Sequence, residues 1–265
     1  MKKIEFIGAS GVGKTTLFNE ILRNRSEEAS WITPTEARIQ LAKTEQVEVP
    51  KFSLQALMQT CLRMNIFKRR HAFLSDHVLR RLEQKVLLES MSQYNDIIDL
   101  SLREIAMDEN VEPYKKVSFI DFYMNLILHD ILTIEKYNDH SLVVYDDGLI
   151  HNSYAVNDES KFDNLLNKNP SLIEKVLPQG GVFCELSAVD NLSRRKSRIS
   201  NGRGHLLEIQ QDDDQLYKFC EESIRISNQI ISIFEKYGIP VLRLDMNESN
   251  EKNIALFNQF IETFV

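Results

Sequence analysis

The first chemical feature of this 265-residue chain is a glycine-rich stretch that ends in a lysine and two threonines. Residues 8–16 read Gly-Ala-Ser-Gly-Val-Gly-Lys-Thr-Thr and fit the pattern G-x-x-x-x-G-K-[S/T] in full. An apolar segment precedes the stretch and helix-forming residues follow it, which is the context that a phosphate-binding loop requires. Backbone N–H groups of such a loop converge on phosphate oxygens, and the helix N-terminus adds partial positive charge. The stretch therefore predicts a nucleotide site.

The residue types in this loop predict separate roles. Gly11 and Gly13 let the backbone approach the phosphates closely or adopt a positive φ. Lys14 is expected to reach the β- and γ-phosphates of ATP, Thr15 to offer its hydroxyl to Mg²⁺, and Thr16 to contact the α-phosphate. The predicted nucleotide-binding residues are Gly8, Ala9, Ser10, Gly11, Val12, Gly13, Lys14, Thr15 and Thr16.

Two aspartates follow directly after an apolar run at residues 141–145. Asp146 and Asp147 follow this predicted buried strand, where a Walker-B carboxylate would lie beside the loop and hold Mg²⁺, usually through water. Asp146 comes first after the run and is therefore predicted as the metal ligand and catalytic carboxylate. The alternative is an acidic turn before Gly148, where Asp is favoured for local reasons.

A cationic cluster lies late in the chain. Its members are Arg194, Arg195, Lys196, Arg198 and Arg203. Arg194 and Arg198 are four residues apart and share a helix face, while Gly202 and Gly204 flank Arg203. These features favour a mobile lid over residues 194–205 that folds over the triphosphate and neutralises charge in the transition state. The alternative is a solvated basic end of a helix.

Alternating strands and helices are predicted to position these groups. Strands are expected at residues 3–7, 30–33, 141–145, 182–186 and 239–244. Strands that alternate with helices predict right-handed crossovers and a parallel sheet, which is the α/β class. No glycine occurs between Gly13 and Gly148, so the middle of the chain is predicted to be helical. We predict one domain with its core in residues 1–44 and 138–265 and a helical insertion over residues 45–137.

Composition excludes several other classes of protein. The net charge is −7, with 32 basic and 39 acidic residues, which disfavours a nucleic-acid partner for the whole molecule. No apolar run approaches the roughly 18 residues of a membrane span, and the apolar stretch after Met1 is too short for a signal peptide. A cytoplasmic protein without a membrane partner is therefore expected. The cysteines, at positions 61, 184 and 220, show no disulfide or zinc spacing.

The phosphate loop, the strand that ends at Asp146, and the pattern Glu185…Arg194-x-x-x-Arg198 together resemble the P-loop nucleoside and nucleotide kinases, with thymidylate kinase as the nearest named relative. The resemblance covers about residues 1–40 and 140–265, including the closing strand and helix. It implies a three-layer P-loop NTPase core with a five-stranded parallel sheet, ATP with Mg²⁺ as cofactors, and a basic lid. Thymidylate kinases usually carry Asp-Arg where this chain has Asp146-Asp147, so the acceptor is left open.

The resemblance also implies a role for residues 35–38. In the kinase relatives the end of the second strand supplies a carboxylate and an arginine to the acceptor. Glu36 is the predicted counterpart that orients or deprotonates the attacking hydroxyl, and Arg38 would hold an anionic acceptor. The alternative is the polar first turn of a helix, with Thr35 as its cap.

These features predict a phosphotransferase. It would move the γ-phosphoryl group of ATP to an unidentified small molecule: a nucleoside, a nucleotide or another hydroxyl compound. The alternative is a P-loop ATPase that acts as a partner-regulated switch, in which Asp147 orients the attacking water. A GTPase is disfavoured because the chain has no Asn-Lys-x-Asp motif. A homodimer is left open.

Overall fold

The computed structural model describes residues 2–26, 28–44, 54–65, 70–108, 112–137, 142–202 and 212–264. Within these ranges, five parallel strands form one sheet in the order β2-β3-β1-β4-β5. The strands are β1 (Lys2–Ile7), β2 (Trp31–Ile32), β3 (Leu142–Tyr145), β4 (Gly180–Glu185) and β5 (Val241–Asp245). The central strand β1 pairs with β3 on one side and β4 on the other, so the loop after β1 lies beside the ends of both neighbours.

Helices cover both faces of the sheet. They are α1 (Lys14–Asn24), α2 (Pro34–Thr44), α3 (Leu54–Arg63), α4 (His71–Met107), α5 (Pro113–Lys136), α6 (Leu149–Asn152), α7 (Glu159–Lys168), α8 (Pro170–Val176), α9 (Ala188–Ser200), α10 (Asp213–Lys236) and α11 (Asn250–Glu262). A 3₁₀ turn at Tyr154–Asn157 lies between α6 and α7. In the described ranges, no helix is both long and apolar enough to cross a bilayer.

Successive side chains of β1 point to opposite faces of the sheet, and this alternation explains why a helical layer covers each face. Ile4 and Phe6 pack into one apolar core together with Phe257 of α11. Ile7 faces the opposite core, which contains residues of α4, α7, α8 and α10. Strands that are buried on both faces require helices on both faces. The structure therefore confirms the predicted three-layer α/β core with a five-stranded parallel sheet.

The long helical segment lies between β2 and β3. Helix α4 alone has 37 residues and packs against α2, α3 and α5. Helix α5 begins at Pro113, and proline is favoured in the first turn of a helix. The division into a core and an insertion at residues 45–137 stays a prediction.

Candidate phosphate-binding site

The loop between β1 and α1 has the backbone conformation that its glycines predict. Gly11 and Gly13 adopt positive φ values of 85° and 101°. The Val12 N–H donates to the Ala9 carbonyl at 3.1 Å, which closes a tight turn before α1. A Cβ at Gly11 would lie 2.9 Å from both the Arg195 Nε and the Asn191 Oδ1 atoms. Both the dihedral angle and the space around the loop therefore require glycine at this position.

Helix α9 holds this loop through the loop's carbonyl groups. Arg195 and Asn191 both donate to the Ser10 carbonyl, the Asn191 Nδ2 atom at 3.1 Å. The Arg194 Nη1 atom donates to the Val12 carbonyl at 2.6 Å. In a trans peptide the N–H points opposite to the C=O, so bonds to these two carbonyls direct the Gly11 and Gly13 N–H groups away from α9.

Arg195 is the most buried of the cationic-cluster members that the structure describes. Its side chain is only 1% exposed, and its guanidinium carbon lies 4.6 Å from the ring centre of Phe219. Ser187 caps α9 by accepting the Asp190 N–H at 3.1 Å, which fixes where the helix begins. The cluster was predicted as part of a lid, but its described members up to residue 200 lie in a regular helix, and Arg194 and Arg195 of that helix support the loop. Residues 203–211, which include the rest of the predicted lid, lie outside the described residues.

Lys14 connects the loop to the end of β3. Its Nζ atom donates to the Asp146 carbonyl at 2.9 Å and forms an ion pair with the Asp147 carboxylate. Lys14 is buried, whereas Thr15 and Thr16 are exposed at the start of α1. The structure thus places Lys14 and Asp147 together, in a contact that phosphate oxygens would compete with.

The two aspartates after β3 have different surroundings. Burial and the charge of Asp147 raise the pKa of Asp146. Burial opposes ionisation of Asp147 too, but the hydrogen bond from His151 and the charge of Lys14 lower its pKa to about 2. Asp147 lines the cavity at the loop, and the described lining does not include Asp146. Of these two aspartates, Asp147 is therefore the ionised one that faces this cavity.

A cavity of about 780 Å³, the P-loop cavity, lies over the loop. Besides the predicted loop residues, its lining includes Asp147, His151, Asn152, Arg194, Arg198 and Asn247. Arg198 thus reaches the cavity from α9. A second cavity of about 360 Å³, the aromatic cavity, contains Phe119, Tyr154 and Phe219 in its wall.

The two cavities share part of their walls. Gly8, Ser10, His151 and Asn152 line both of them. The Phe119 and Tyr154 rings lie 6.2 Å apart in the aromatic cavity, tilted by 32°. Two adjoining cavities, one polar at the loop and one largely apolar, offer room for two different molecules.

Glu36 lies in the first turn of α2 and forms a capping box with Thr33. The Thr33 Oγ1 atom accepts the Glu36 N–H at 3.1 Å, and Glu36 accepts the Thr33 N–H at 2.8 Å. Arg25 binds both oxygens of the same carboxylate. The cap is therefore Thr33, whereas Thr35 was the expected one, and Glu36 has a structural role at this helix start. Arg38 pairs with Asp76 of α4 at 3.1 Å.

The donor set at the loop fits Mg²⁺, which is bound by one or two carboxylates together with substrate phosphates and water. The Thr15 hydroxyl and the Asp146 carboxylate are the protein groups predicted to hold it. Among the described residues, no group of three or more His, Cys, Asp or Glu side chains could hold a metal by itself.

Sequence reasoning missed three residues of the site: Asn191, Arg195 as a support of the loop, and His151. The four-residue spacing between Asp147 and His151 was an available signal, since such pairs face each other across one helical turn. The bonds from α9 to the loop had no such signal, because more than 170 residues separate the partners.

Comparison with known proteins found similar solved structures, and we describe two of them. They are deoxyadenosine kinase from M. mycoides with bound dATP, and the same enzyme with the products dCMP and a flexible dCDP bound. Each is 13% identical to this chain over 99% of this chain and 100% of the other, with TM-scores of 0.39 and 0.42. Likeness at this level carries no argument about activity. No protein-family profile and no curated protein matches the chain.

Proposed function

We propose that this protein is an ATP- and Mg²⁺-dependent phosphotransferase that moves the γ-phosphoryl group of ATP to a hydroxyl of a small-molecule acceptor. The observation that carries the proposal is the shared wall of the P-loop cavity and the aromatic cavity. A donor in one cavity and an acceptor in the other would meet at Ser10 and His151. Such positioning converts a bimolecular step into an effectively unimolecular one.

The loop would hold the donor. The Gly11 and Gly13 N–H groups and the start of α1 would bind the phosphates, and Lys14 would turn from Asp147 to the β- and γ-oxygens. Mg²⁺ at Thr15 would neutralise charge on the β- and γ-phosphates, and Asp146, which is not in the described lining of the cavity, would hold it only through water. Arg198, which lines the same cavity, would face the oxygens that gain charge in the transition state.

The aromatic cavity would hold the acceptor. Its rings suit a flat molecule with an apolar face, and Asn157 and Glu222 add polar groups to its wall. Glu222 is itself paired with Arg225, and the described lining of the cavity contains no lysine or arginine that could bind an anionic acceptor. Among the acceptor classes considered, an uncharged hydroxyl compound such as a nucleoside fits better than a nucleotide.

The experiment measures ADP release from ATP and Mg²⁺ with a panel of nucleosides, nucleoside monophosphates and sugars. At least one uncharged hydroxyl compound should raise ADP release above the rate with ATP alone, and mass spectrometry should find that compound phosphorylated. If the whole panel leaves the rate unchanged, the acceptor assignment is wrong.

A P-loop ATPase that acts as a switch is the second candidate, and the exposed side chains of the helical segment favour it. Leu54, Leu57 and Phe73 are each at least 59% exposed on α3 and α4. Such apolar groups could bind a macromolecule or a second copy of the chain. A switch would respond to a macromolecular partner and remain insensitive to the small hydroxyl compounds.

A further inference from the structure

Glu5 is a buried carboxyl group on the central strand β1, where it pairs in register with Tyr145, the last residue of β3. It is only 1% exposed, and its neighbours along the strand, Ile4 and Phe6, are apolar core residues. Burial of a carboxyl group costs free energy, which an apolar side chain of similar size avoids. Packing of the core therefore does not account for a glutamate at this position.

The hydrogen bonds of Glu5 lead to the segment that follows the two aspartates. Its Oε2 atom accepts the N–H of Ile150 at 3.2 Å and the N–H of His151 at 3.4 Å. Lys3, two residues earlier in β1, attracts Glu5 by its charge but donates a hydrogen bond to the Val176 carbonyl at 2.8 Å. The hydrogen bonds that the structure describes for Glu5 therefore tie β1 to the start of α6.

Gly148, the residue before α6, leaves room for this carboxyl group. It has no side chain that could accept the first N–H groups of the helix, so Glu5 accepts two of them from another strand. A Cβ at Gly148 would lie 2.5 Å from the Glu5 Oε1 atom. The φ of Gly148 is −98°, which other residues adopt readily. The carboxyl group, and not the backbone conformation, therefore requires glycine here.

The segment 146–151 forms part of the wall at both cavities. The Asp146 carbonyl and the Asp147 carboxylate bind Lys14, and His151 lines both cavities. Glu5 holds the far end of this segment and precedes the phosphate loop by only three residues. One strand therefore sets the position of the loop and of the segment that faces it.

We propose that Glu5 is a positioning residue for phosphoryl transfer, which holds the segment 146–151 in place against Lys14 through its hydrogen bonds to Ile150 and His151; this inference rests on the proposed function. Glu5 is not in the described lining of either cavity, so it acts through these residues. A displacement of about 1 Å at the reacting groups can cost about 100-fold in rate. The role depends on the reach of the side chain and not on its charge.

Two variants separate reach from charge. Glu5→Gln keeps the length of the side chain and one accepting oxygen, whereas Glu5→Asp keeps the charge but is shorter by one methylene. With the active compound of the panel, at pH 8 and per folded protein, we expect kcat within a few-fold of wild type for Glu5→Gln. For Glu5→Asp we expect kcat to fall about 10- to 100-fold with little change in the KM for ATP, because the N–H groups of the loop are untouched.

The opposite order of the two variants would show that the charge of Glu5 matters and would overturn the proposal. A folded Glu5→Asp protein with the wild-type kcat would overturn it as well.

Gly148→Ala tests the same contact from the other side and serves if Glu5→Asp does not fold. Alanine suits the φ of this residue, but its Cβ would push the Glu5 carboxyl group away from the two N–H groups. We expect a fall in kcat like that of Glu5→Asp, whereas the wild-type kcat in folded Gly148→Ala would contradict the role of Glu5.

Hydrogen exchange of peptides that cover residues 148–152 needs no substrate, so it separates this inference from the proposed function. If no hydroxyl compound raises ADP release by the wild-type protein, the proposed function fails, and exchange then decides whether Glu5 holds the segment. The Ile150 and His151 amides should exchange faster in Glu5→Asp than in wild type or Glu5→Gln. Equal exchange in the three proteins would overturn the inference.

Discussion

The phosphate loop and the helical segment α3–α5 are built from different interactions. In the loop, polar groups act at close range: Arg194, Arg195 and Asn191 bind main-chain carbonyls, and Lys14 pairs with Asp147. In the helical segment, a large described cluster consists of apolar side chains such as Ile97 and Ile105, beside a few buried polar groups such as Ser101. Hydrogen bonds have strict geometry, whereas apolar packing tolerates many combinations of side chains.

This difference predicts how the two regions respond to substitution. A change at the loop should alter the rate of phosphoryl transfer more than the free energy of unfolding. A conservative change in the core of α4 should do the opposite. Each of the following substitutions either sharpens this contrast or breaks it.

The largest effect is expected for Lys14→Ala. Loss of a charged group that stabilises transition-state charge costs about 2.7–4 kcal/mol, or roughly two to three decades in rate. Steady-state ADP release from ATP measures this loss, and thermal unfolding monitors the fold. The fold should survive, because Asp147 keeps its hydrogen bond from His151.

The control for this substitution is Lys168→Ala, at an exposed position near the end of α7. It removes the same charge away from both cavities and should leave the rate unchanged. A folded Lys14→Ala protein with the wild-type rate would reject the assignment of the loop.

The contrast also explains what the sequence could predict. The loop motif lies within nine consecutive residues, and the positive φ values predicted for Gly11 and Gly13 are confirmed. The strands were recognisable because apolar runs such as 142–145 are buried on both faces. These features are local, so residue type and spacing were sufficient to predict them.

The remaining features depend on contacts between distant segments. Nothing near Arg195 in sequence indicates that it is buried against Ser10 and Phe219, and the same cations read equally well as a lid. The choice between Asp146 and Asp147 depends on which side chain faces the cavity, and the sequence does not define that direction. The role predicted for Glu36 was based on its position after β2. Its partner Arg25 lies directly after α1, and the sequence does not show that these two residues meet.

The next largest effect is expected for Gly11→Ala. Alanine would have to adopt a φ of 85°, and its Cβ would lie 2.9 Å from two side-chain atoms of α9. The left-handed conformation alone costs about 1–2 kcal/mol, and the contacts with α9 add to that cost. Calorimetric titration with an ATP analogue should show weaker binding, because the loop must shift.

Gly238→Ala is the matched control for Gly11→Ala. Gly238 ends α10 with a φ of 70°, and nothing lies within 4 Å of a Cβ built there. This variant should be destabilised only by the conformational cost at position 238, and it should bind the ATP analogue normally. Equal losses of nucleotide binding in the two variants would contradict the argument that α9 shapes the loop.

A smaller, pH-dependent effect is expected for Glu5→Gln, which lies beneath the site. Burial raises the pKa of Glu5 to about 7, from a usual value of 4.5, and Lys3, Asp130 and Asp147 face the same carboxyl. The folded protein therefore binds this proton more tightly than the unfolded chain. The free energy of unfolding should fall as pH rises from about 4.5 to 7, by at most about 1.4 kcal/mol for each unit of pKa shift.

Glutamine stays neutral and can still accept the Ile150 N–H, which Glu5 accepts at 3.2 Å. Chemical denaturation at pH 5 and pH 8 should therefore show a larger gain in stability for Glu5→Gln at pH 8. A gain of the same size at both pH values would mean that the Glu5 carboxyl does not titrate in this window.

The smallest effect, and the other side of the contrast, is expected for Ile97→Val. Ile97 is fully buried in α4, in the core that the helical segment shares with the sheet. Removing one methylene there should lower the free energy of unfolding by about 0.5–1.5 kcal/mol. ADP release below the unfolding transition should keep its wild-type rate, because no group at either cavity changes. A clear fall in that rate, with the expected small loss in stability, would break the contrast and show that the packing of α4 is coupled to the geometry of the loop.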